Sequence, residues 1–301
     1  MNVLCSGFRF SEKECQQIEQ TGVKLHQLER EEDVVGYDVS AIEGVICNNL
    51  FTYRDVDDFP RLRFVQVVSA GLDRVPVSRL EERHIELYNA GDAYAVPMAE
   101  WVVWQLLDFY KRGAVFRSQQ HEKRWEKQRR LRELTDRTVT ILGVGHVGEA
   151  VATRLSAFGM HVIGVGRRVR DISFVDEYVQ FNQLDDVLAR SDVVVIALPL
   201  TEQTYHLFNR ARFEHLKDEA ILLNVARGAI IDESALLSAL ETNKVAGVAL
   251  DVFETEPLPA DHPFWTHPAV QLTPHNSYVS DHVNRRLFRT IFHNLTHQTT
   301  S

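Results

Sequence analysis

Residues 138–148 have the sequence TVTILGVGHVG, which joins a short apolar run to glycines spaced Gly-x-Gly-x-x-Gly. The apolar run, Thr138 to Leu142, has the composition of a buried β-strand. The residues that follow, Glu149 to Phe158, carry apolar side chains at helical spacing. A strand, a glycine-rich turn and a helix in this order predict the start of a doubly wound α/β domain.

Each glycine of this turn has its own expected role. Gly143 permits the tight turn, Gly145 lets the backbone approach a pyrophosphate, and Gly148 lets helix and strand pack closely. His146 and Val147 lie at the helix N-terminus, whose N–H groups and positive dipole end suit phosphates. The alternative is an ordinary glycine-rich βα turn, which the flanking strand and helix disfavour. The turn therefore predicts a dinucleotide site.

The end of the second strand of such a domain indicates which dinucleotide is bound. An Asp or Glu there binds the ribose 2′-hydroxyl of NAD. Here the strand from His161 to Val165 is followed by Gly166, Arg167 and Arg168, and no carboxylate occurs before Asp171. Two guanidinium groups suit a 2′-phosphate. The sequence predicts NADP(H) in preference to NAD(H); the alternative is that both arginines are solvated loop residues.

Short apolar strands alternate with helical stretches along most of the chain, which predicts parallel sheets with helices on their faces. A helix from Ser11 to Thr21 begins with a capping box formed by Ser11 and Glu14. A long helix from Pro97 to Arg112 is apolar over more than one face, so we expect it to be buried or to pack between domains or subunits. A last helix, Tyr278 to Thr296, is expected to pack back on the N-terminal block. The predicted strands are Asn2–Gly7, Gly44–Asn48, Phe64–Val68, Thr138–Leu142, His161–Val165, Val193–Leu198, Ala220–Asn224, Val245–Leu250 and Val270–Thr273.

Composition excludes several classes of protein. The chain has 301 residues, 45% of them hydrophobic, and a formal net charge of -9, so it is globular and poorly suited to nucleic acid. The Lys/Arg-rich stretch from His121 to Arg132 is interleaved with Glu and is interpreted as a solvated helix face. No signal peptide and no membrane-spanning run is expected. Cys5, Cys15 and Cys47 are widely spaced, which predicts buried thiols in a reducing cytosol.

Two residues whose side chains can bind an anion or transfer a proton follow predicted strands, where a doubly wound fold binds its ligands. Arg227 ends a predicted strand and can bind a carboxylate through two parallel hydrogen bonds. His275 follows a strand and Pro274, which restricts the local backbone. A surface salt bridge for Arg227 and a structural role for His275 are the alternatives.

Three carboxylates lie close together in the loop after another predicted strand. They are Asp251, Glu254 and Glu256. No His or further carboxylate motif lies nearby in sequence to complete a metal site, so no metal is predicted.

The ordered set of short motifs resembles one family over nearly the whole chain. Any one motif is modestly specific, whereas the set in this order is highly specific. The motifs are Ser69 to Asp73, Ala99-Glu100, the glycine turn, Leu198 to Thr201 with Thr204, Asn224 to Gly228, Asp251 to Leu258, and Thr273 to His275. The chain is similar to the D-isomer-specific 2-hydroxyacid dehydrogenases, in a short, glyoxylate/hydroxypyruvate reductase-like form without a regulatory domain.

The resemblance implies NAD(P)-dependent reduction of a small 2-oxo acid to the D-2-hydroxy acid. Arg227 would bind the substrate carboxylate and carbonyl, and His275 would be the acid/base that protonates the carbonyl oxygen. Glu256 would hydrogen-bond His275, orient it and favour its protonated form. Asp251 would contact the nicotinamide carboxamide. Further cofactor-binding residues implied are Leu198, Pro199, Thr204, Val225 and Ala226.

Substrate binding is implied for a second group of residues. The backbone around Ala70 and Gly71 would help to hold the carboxylate. The apolar and aromatic loop Asn48 to Tyr53 is expected to bring Phe51 to the substrate side chain, with Tyr278 facing it; core packing of Phe51 is the equal alternative. Uncharged 2-oxo acids, or small ones such as glyoxylate and hydroxypyruvate, are the expected substrates.

The family's architecture implies a Rossmann domain, residues 96–275, inserted into a discontinuous flavodoxin-like substrate domain, residues 1–95 plus 276–301. A cytoplasmic homodimer joined through the Rossmann domain is expected. Glu256 stands where the related formate dehydrogenases carry Gln, which disfavours formate. Two alternatives stay open: a dinucleotide-sensing regulatory protein on the same scaffold, and a phosphoglycerate dehydrogenase-like enzyme. A phosphorylated substrate would require additional basic residues in the N-terminal loops.

Overall fold

Two parallel β-sheets, each with helices around it, lie in separate parts of the chain. The structure, a computed structural model, describes residues 1–33 and 38–300, without the side chains of residues 299 and 300. It divides into unit 1, Met1–Tyr94 with Ser280–Ser301, and unit 2, Ala95–Val279. The division thus falls one residue before the first predicted domain boundary and four residues after the second.

Unit 1 contains a five-stranded sheet. Its strands are β1 (Asn2–Cys5), β2 (Lys24–Gln27), β3 (Gly44–Cys47), β4 (Phe64–Val67) and β5 (Glu86–Tyr88), in the order β2-β1-β3-β4-β5. All four neighbouring pairs are parallel. This order is that of flavodoxin-like folds, and its switch point lies between β1 and β3. Helices α1 (Glu12–Glu19) and α2 (Val77–Glu82) connect strands of this sheet. The predicted capping box of α1, Ser11 with Glu14, is confirmed.

Unit 2 contains a seven-stranded parallel sheet. Its strands are β6 (Thr138–Leu142), β7 (His161–Gly166), β8 (Glu177–Gln180), β9 (Val193–Ile196), β10 (Ala220–Asn224), β11 (Val245–Leu250) and β12 (Val270–Leu272), in the order β12-β11-β10-β9-β6-β7-β8. The order reverses between β6 and β9, so ligands are expected beyond the carboxyl ends of these strands. This is the Rossmann arrangement predicted from residues 138–148.

Helices cover this sheet. They are α3 (Ala95–Lys111), α4 (Gly113–His121), α5 (His146–Ala157), α6 (Leu184–Leu188), α7 (Arg210–Glu214) and α8 (Glu233–Glu241). Helix α3 buries Trp101, Val102 and Leu106 in a core shared with β6 and α5, as its apolar sequence predicts. Trp104 of the same helix is 54% exposed, so the helix is not buried on every face.

The last helix, α9 (Val283–Thr300), belongs to unit 1, although unit 2 separates it in sequence from the rest of that unit. Its Leu287, Ile291 and Leu295 pack in one core with Val3 and Ile18. The predicted return of the final helix to the N-terminal block is therefore confirmed, with the helix beginning at Val283 rather than at Tyr278.

The prediction of a helix face from His121 to Arg132 was wrong. Helix α4 ends at His121, and residues 124–133 have no regular secondary structure. The segment contains alternating charges and Trp125, which is 97% exposed, so it lacks the apolar stripe that packs a helix onto a core. Among the described residues, no helix is long and apolar enough to cross a membrane.

Candidate active site

The glycine turn after β6 leaves space above the N-terminus of α5. Gly143 has φ +89°, and a β-carbon on it would lie 2.6 Å from the carbonyl oxygen of Ala197. A β-carbon on Gly148 would lie 2.3 Å from the oxygen of Gly143, so only glycine lets the helix approach the turn this closely. A β-carbon on Gly145 would meet no atom within 4 Å, and both Gly145 and His146 are exposed. Val147 is half-buried.

An arginine that sequence reasoning missed supports this turn. Arg170 donates a hydrogen bond to the carbonyl oxygen of Val144 (2.8 Å) and pairs with Glu149 (3.0 Å) in the first turn of α5. The ion pair with Arg170 offsets the negative charge of Glu149, which would otherwise repel an anion at the N-terminus of α5. No motif pointed to Arg170, because its partners are 21 and 26 residues away in sequence.

The end of β7 carries two exposed guanidinium groups. Arg167 and Arg168 follow Gly166 directly, and both are exposed. In the part of the chain that the structure describes, neither side chain has a hydrogen-bond or ion-pair partner. Both charges are therefore open to an anionic ligand at this strand end.

The loop after β9 is held by its own threonine. The hydroxyl of Thr204 donates to the carbonyl oxygen of Pro199 (2.7 Å) and accepts from the backbone N–H of Thr201 (2.8 Å). Leu198 is buried and Pro199 is exposed at the carboxyl end of the sheet. Thr204, predicted to bind cofactor, fixes the shape of the loop that carries Leu198 and Pro199.

The loop after β10 brings Arg227 to the same edge of the sheet. Val225 and Ala226 are buried at the strand end. The side chain of Asn224 accepts from the N–H of Ala226 (3.0 Å) and donates to the carbonyl oxygen of Arg227 (2.9 Å). The guanidinium of Arg227 donates to the oxygen of Ala226 (2.7 Å) and is half-buried. Asn224 thus sets the backbone from which Arg227 projects.

His275 and Glu256 form a hydrogen-bonded pair. Nδ1 of His275 lies 2.8 Å from Oε2 of Glu256, and each side chain is 34% exposed. The other carboxylate oxygen of Glu256 accepts from the N–H of Phe253 (3.0 Å). A carboxylate on Nδ1 fixes the proton there and directs Nε2 outward. The ring of Tyr278 stands edge-on to the imidazole, with centroids 6.0 Å apart.

Asp251 holds the loop that carries His275. It is 1% exposed, and its carboxylate accepts from the N–H groups of Asn276 (2.7 Å) and Ser277 (2.9 Å). Its backbone oxygen accepts from the N–H of His275 (2.8 Å). Asp251 therefore fixes the backbone of residues 275–277. Its contact with the nicotinamide carboxamide stays a prediction.

Trp101 of helix α3 is hydrogen-bonded to the loop that Asp251 fixes, a contact that was not predicted from the sequence. Nε1 of Trp101 donates to Oγ1 of Thr273 (3.0 Å), and that hydroxyl donates to Oδ1 of Asp251 (2.5 Å). Because 172 residues separate Trp101 from Thr273, no local pattern could have shown the contact.

The remaining carboxylate of the 251–258 loop has other partners. Oε1 of Glu254 lies 2.9 Å from Nε2 of His206, and the N–H of Glu254 donates to Glu233 (3.0 Å). Among the described residues, no three His, Cys, Asp or Glu side chains are grouped so that they could hold a metal ion.

In unit 1, the loop after β4 exposes its backbone. The carbonyl oxygen of Ala70 accepts from the side chain of Asn89 (3.0 Å), and the Ser69 hydroxyl donates to the oxygen of Gly71 (2.8 Å). The Tyr94 hydroxyl donates to the oxygen of Val68. Asn89 and Tyr94 thus fix the backbone predicted to hold a carboxylate, and neither was found from sequence.

The loop after β3 is anchored by a buried acid. Glu31 is 9% exposed, and its carboxylate accepts from the N–H groups of Asn48 and Asn49, each at 2.6 Å. Phe51 is half-buried and lies edge-on to Phe59, 6.5 Å between centroids. Phe51 therefore packs against the core of unit 1, and its role in substrate binding stays a prediction.

The residues at the carboxyl edge of the unit 2 sheet fit a dinucleotide. The open space over Gly145, the exposed start of α5 and the two guanidinium groups suit its phosphates. A hydrogen-bonded imidazole after β12 and an arginine after β10, at the same edge of the sheet, suit reduction of an acid at a bound nicotinamide.

Comparison with known proteins points the same way. The model of the NAD-binding domain of D-isomer specific 2-hydroxyacid dehydrogenases matches residues 103–277. A glyoxylate reductase of Thermofilum pendens is 34% identical over 247 residues, which are 80% of this chain and 73% of that protein.

Solved structures extend the likeness over the whole chain. A D-isomer specific 2-hydroxyacid dehydrogenase of Xanthobacter autotrophicus in complex with NADPH superposes with TM-score 0.83, at 28% identity over 98% of this chain and 93% of that one. An NADPH-dependent glyoxylate/hydroxypyruvate reductase of Sinorhizobium meliloti in complex with NADP and sulfate gives 0.79, at 27% identity over 99% and 94%.

The family model, the sequence identity to a relative and the similarity to solved structures all indicate one family. The glycine turn and the pair of His275 and Glu256 are compatible with that family. The chain belongs to the D-isomer specific 2-hydroxyacid dehydrogenase family, and it is an NAD(P)-dependent oxidoreductase of 2-oxo acids.

Proposed function

We propose that the chain is a homodimeric, cytoplasmic reductase that prefers NADP(H) and acts on small 2-oxo acids such as glyoxylate and hydroxypyruvate. The observation that carries the proposal is the 2.8 Å hydrogen bond between Nδ1 of His275 and Glu256, at the carboxyl edge of a dinucleotide-binding sheet. Such a pair prepares an imidazole to give and take a proton at its other nitrogen.

The proposed reaction divides between the cofactor and the protein. The bound nicotinamide supplies the hydride that reduces the carbonyl carbon. Nε2 of His275 donates a proton to the carbonyl oxygen as negative charge develops there. Glu256 holds Nδ1–H throughout, so the imidazole keeps its orientation during the transfer.

Arg227 binds the substrate in this proposal. Its guanidinium offers several N–H donors in one plane, which match a carboxylate with two parallel hydrogen bonds. Ala70, Gly71, Phe51 and Tyr278 are the further substrate-binding residues proposed. Cofactor contacts are proposed for Leu198, Pro199, Thr204, Val225, Ala226 and Asp251, in addition to the glycine turn with His146 and Val147.

Preference for NADP(H) is supported by the end of β7. Arg167 and Arg168 are exposed there, next to Gly166 rather than to an acid. The similar enzymes from Xanthobacter and Sinorhizobium were solved with NADPH and NADP. A 2′-phosphate would neutralise two adjacent positive charges that otherwise face water.

The substrate proposal rests on the unit 1 loop and on the relatives. The loop Asn48 to Tyr53 contains no Lys or Arg, so it offers no cation for a phosphorylated substrate. Relatives that match 73% to 80% of this chain are named glyoxylate reductases. Small, unphosphorylated 2-oxo acids therefore fit best.

Assembly and location complete the proposal. Unit 2 exposes the large apolar side chains Trp104, Phe116 and Trp125 on successive segments, and a second copy of the chain would cover such side chains. Cys5, Cys15 and Cys47 are all free thiols, which suits the reducing cytoplasm.

A spectrophotometric assay at 340 nm tests the proposal. Purified protein is mixed with NADPH or NADH and with glyoxylate, hydroxypyruvate, pyruvate or a branched 2-oxo acid. We expect oxidation of NADPH with glyoxylate or hydroxypyruvate and slower oxidation of NADH. No oxidation with any acid, together with tight dinucleotide binding by fluorescence, would favour a dinucleotide sensor instead.

A further inference from the structure

The second strand of the unit 2 sheet carries two glycines on one face. Gly164 and Gly166 are two residues apart in β7, so their missing side chains belong to the same side of the sheet. Neither has a positive φ, so the backbone conformation does not demand glycine at these positions. A neighbouring side chain must explain them.

That side chain is Tyr178 of β8, which is paired with Gly164. A β-carbon on Gly164 would lie 2.9 Å from Cδ2 of Tyr178 and 2.9 Å from Cγ2 of Val144 in the glycine turn. A β-carbon on Gly166 would lie 2.2 Å from the Tyr178 hydroxyl oxygen and 3.1 Å from Cζ. The ring therefore lies along β7 and fills the space of both missing side chains.

Gly166 is the last residue of β7, where dinucleotide-binding domains carry the acid that binds the ribose 2′-hydroxyl of NAD. Any side chain at this position would overlap the phenol oxygen. The Cδ2 edge of the same ring lies beside Gly164, so the ring runs past both glycines. The neutral hydroxyl group of Tyr178 thus occupies the space of a side chain at position 166. A carboxylate in that space would repel a 2′-phosphate.

We propose that Tyr178 is a specificity-determining residue of the cofactor site: its ring excludes a carboxylate from position 166, and its hydroxyl donates to a 2′-phosphate. The inference rests on the proposed preference for NADP(H) and assigns part of it to a residue of β8. Arg167 and Arg168 supply positive charge, whereas Tyr178 keeps negative charge away.

The test measures thermal stability and cofactor affinity without turnover. Melting temperatures are recorded for wild type, Gly166→Asp, Tyr178→Val and the double variant, and Kd values for NADPH and NADH are measured by fluorescence. Val169→Asp is the matched control, because it adds the same charge to the same loop on a residue that is 61% exposed.

We expect Gly166→Asp to lower Tm by about 4 °C or more through crowding, while Val169→Asp leaves Tm within about 1 °C. Adding Tyr178→Val should recover part of the loss. The double variant should also bind NADH about tenfold more tightly than Gly166→Asp does, because the acid then reaches the 2′-hydroxyl.

Tyr178→Phe keeps the ring and tests the hydroxyl alone. It should weaken NADPH binding about 3- to 10-fold and leave NADH binding unchanged. Two results would overturn the inference: wild-type Tm with tighter NADH binding in Gly166→Asp alone, or unchanged NADPH affinity in Tyr178→Phe. A wild-type protein with equal affinities for both cofactors would instead refute the proposed NADP(H) preference.

Discussion

His275 holds a backbone conformation that residues with a β-carbon seldom adopt, with φ +51°. Its N–H donates to the backbone oxygens of Asp251 (2.8 Å) and Thr273 (3.0 Å), so the surrounding loop enforces the conformation. The imidazole is therefore fixed both through its backbone and through Glu256.

A substitution of Arg227 tests whether its guanidinium binds the substrate carboxylate. Replacing it by Lys keeps the positive charge but removes the planar pair of donors. Because hydrogen bonds to charged groups contribute about 1.5–3 kcal/mol, KM for glyoxylate should rise about 10- to 100-fold. The Kd for NADPH, measured by fluorescence, should not change. An unchanged KM would show that Arg227 does not bind the substrate carboxylate.

The reactivity of the three cysteine thiols tests whether the core of unit 1 is buried. Burial raises the pKa of Cys5 to about 12 and also raises the pKa of Cys47, whereas Cys15 is only half-buried. At pH 8 both buried thiols stay protonated and unreactive. Ellman's reagent should therefore modify only Cys15 in the native protein, slowly, and all three thiols in guanidinium chloride. Rapid modification of two or more native thiols would contradict the packing of β1 and β3.

Motifs indicated the residues that are proposed to carry the chemistry, but they did not indicate the residues that position these side chains and their loops. Arg227, Glu256 and His275 follow predicted strands, and short patterns indicate them directly. Glu31, Asn89, Trp101, Arg170 and Tyr178 act across long sequence separations, so only the folded chain brings them to their partners.

Helix α3 is hydrogen-bonded through Trp101 to Thr273, in the loop that carries His275. Trp101→Phe removes the N–H that bonds Thr273 and leaves the ring in the core. The loop that Asp251 fixes then loses a partner, and kcat should fall about tenfold through misplacement of His275. The Kd for NADPH should change little, whereas the melting temperature should fall by a few degrees, because a core ring becomes smaller and a hydrogen bond is lost.

Trp104→Phe is the matched control on the same helix, because Trp104 is 54% exposed. This variant should keep the wild-type kcat. If both substitutions lowered kcat equally, the hydrogen bond to Thr273 would not be the cause.

Burial decided which strands could be predicted. Strands β6, β10 and β11 were predicted with their observed bounds, because they are buried on both faces and form continuous apolar runs. Strands β2, β5 and β8 were missed. All three lie at sheet edges and contain polar residues, so no apolar run distinguishes them from loops.

At the scale of the whole molecule, the chain leaves unit 1 after Tyr94 and returns to it at Ser280. The family resemblance implied an inserted domain, with its boundaries placed at residues 96 and 275. The side chains Trp104, Phe116 and Trp125 remain exposed on unit 2, and burying them requires another surface.

The proposed dimer can be tested by light scattering after size-exclusion chromatography. The wild-type protein should have twice the 34.5 kDa mass of the chain. Trp125→Ser should dissociate at higher protein concentration than wild type, since it removes a large apolar side chain from the contact. A wild-type mass of one chain at all concentrations would contradict the dimer.

In the proposed reaction, His275, held by Glu256, protonates the oxygen of a 2-oxo acid while NADPH is oxidised. Its most direct test is the rate of NADPH oxidation with glyoxylate, at 340 nm, for wild type and His275→Asn. We expect turnover by wild type and a loss of about 10²- to 10⁴-fold in the variant, with the same Kd for NADPH. Equal rates for the two proteins would contradict it.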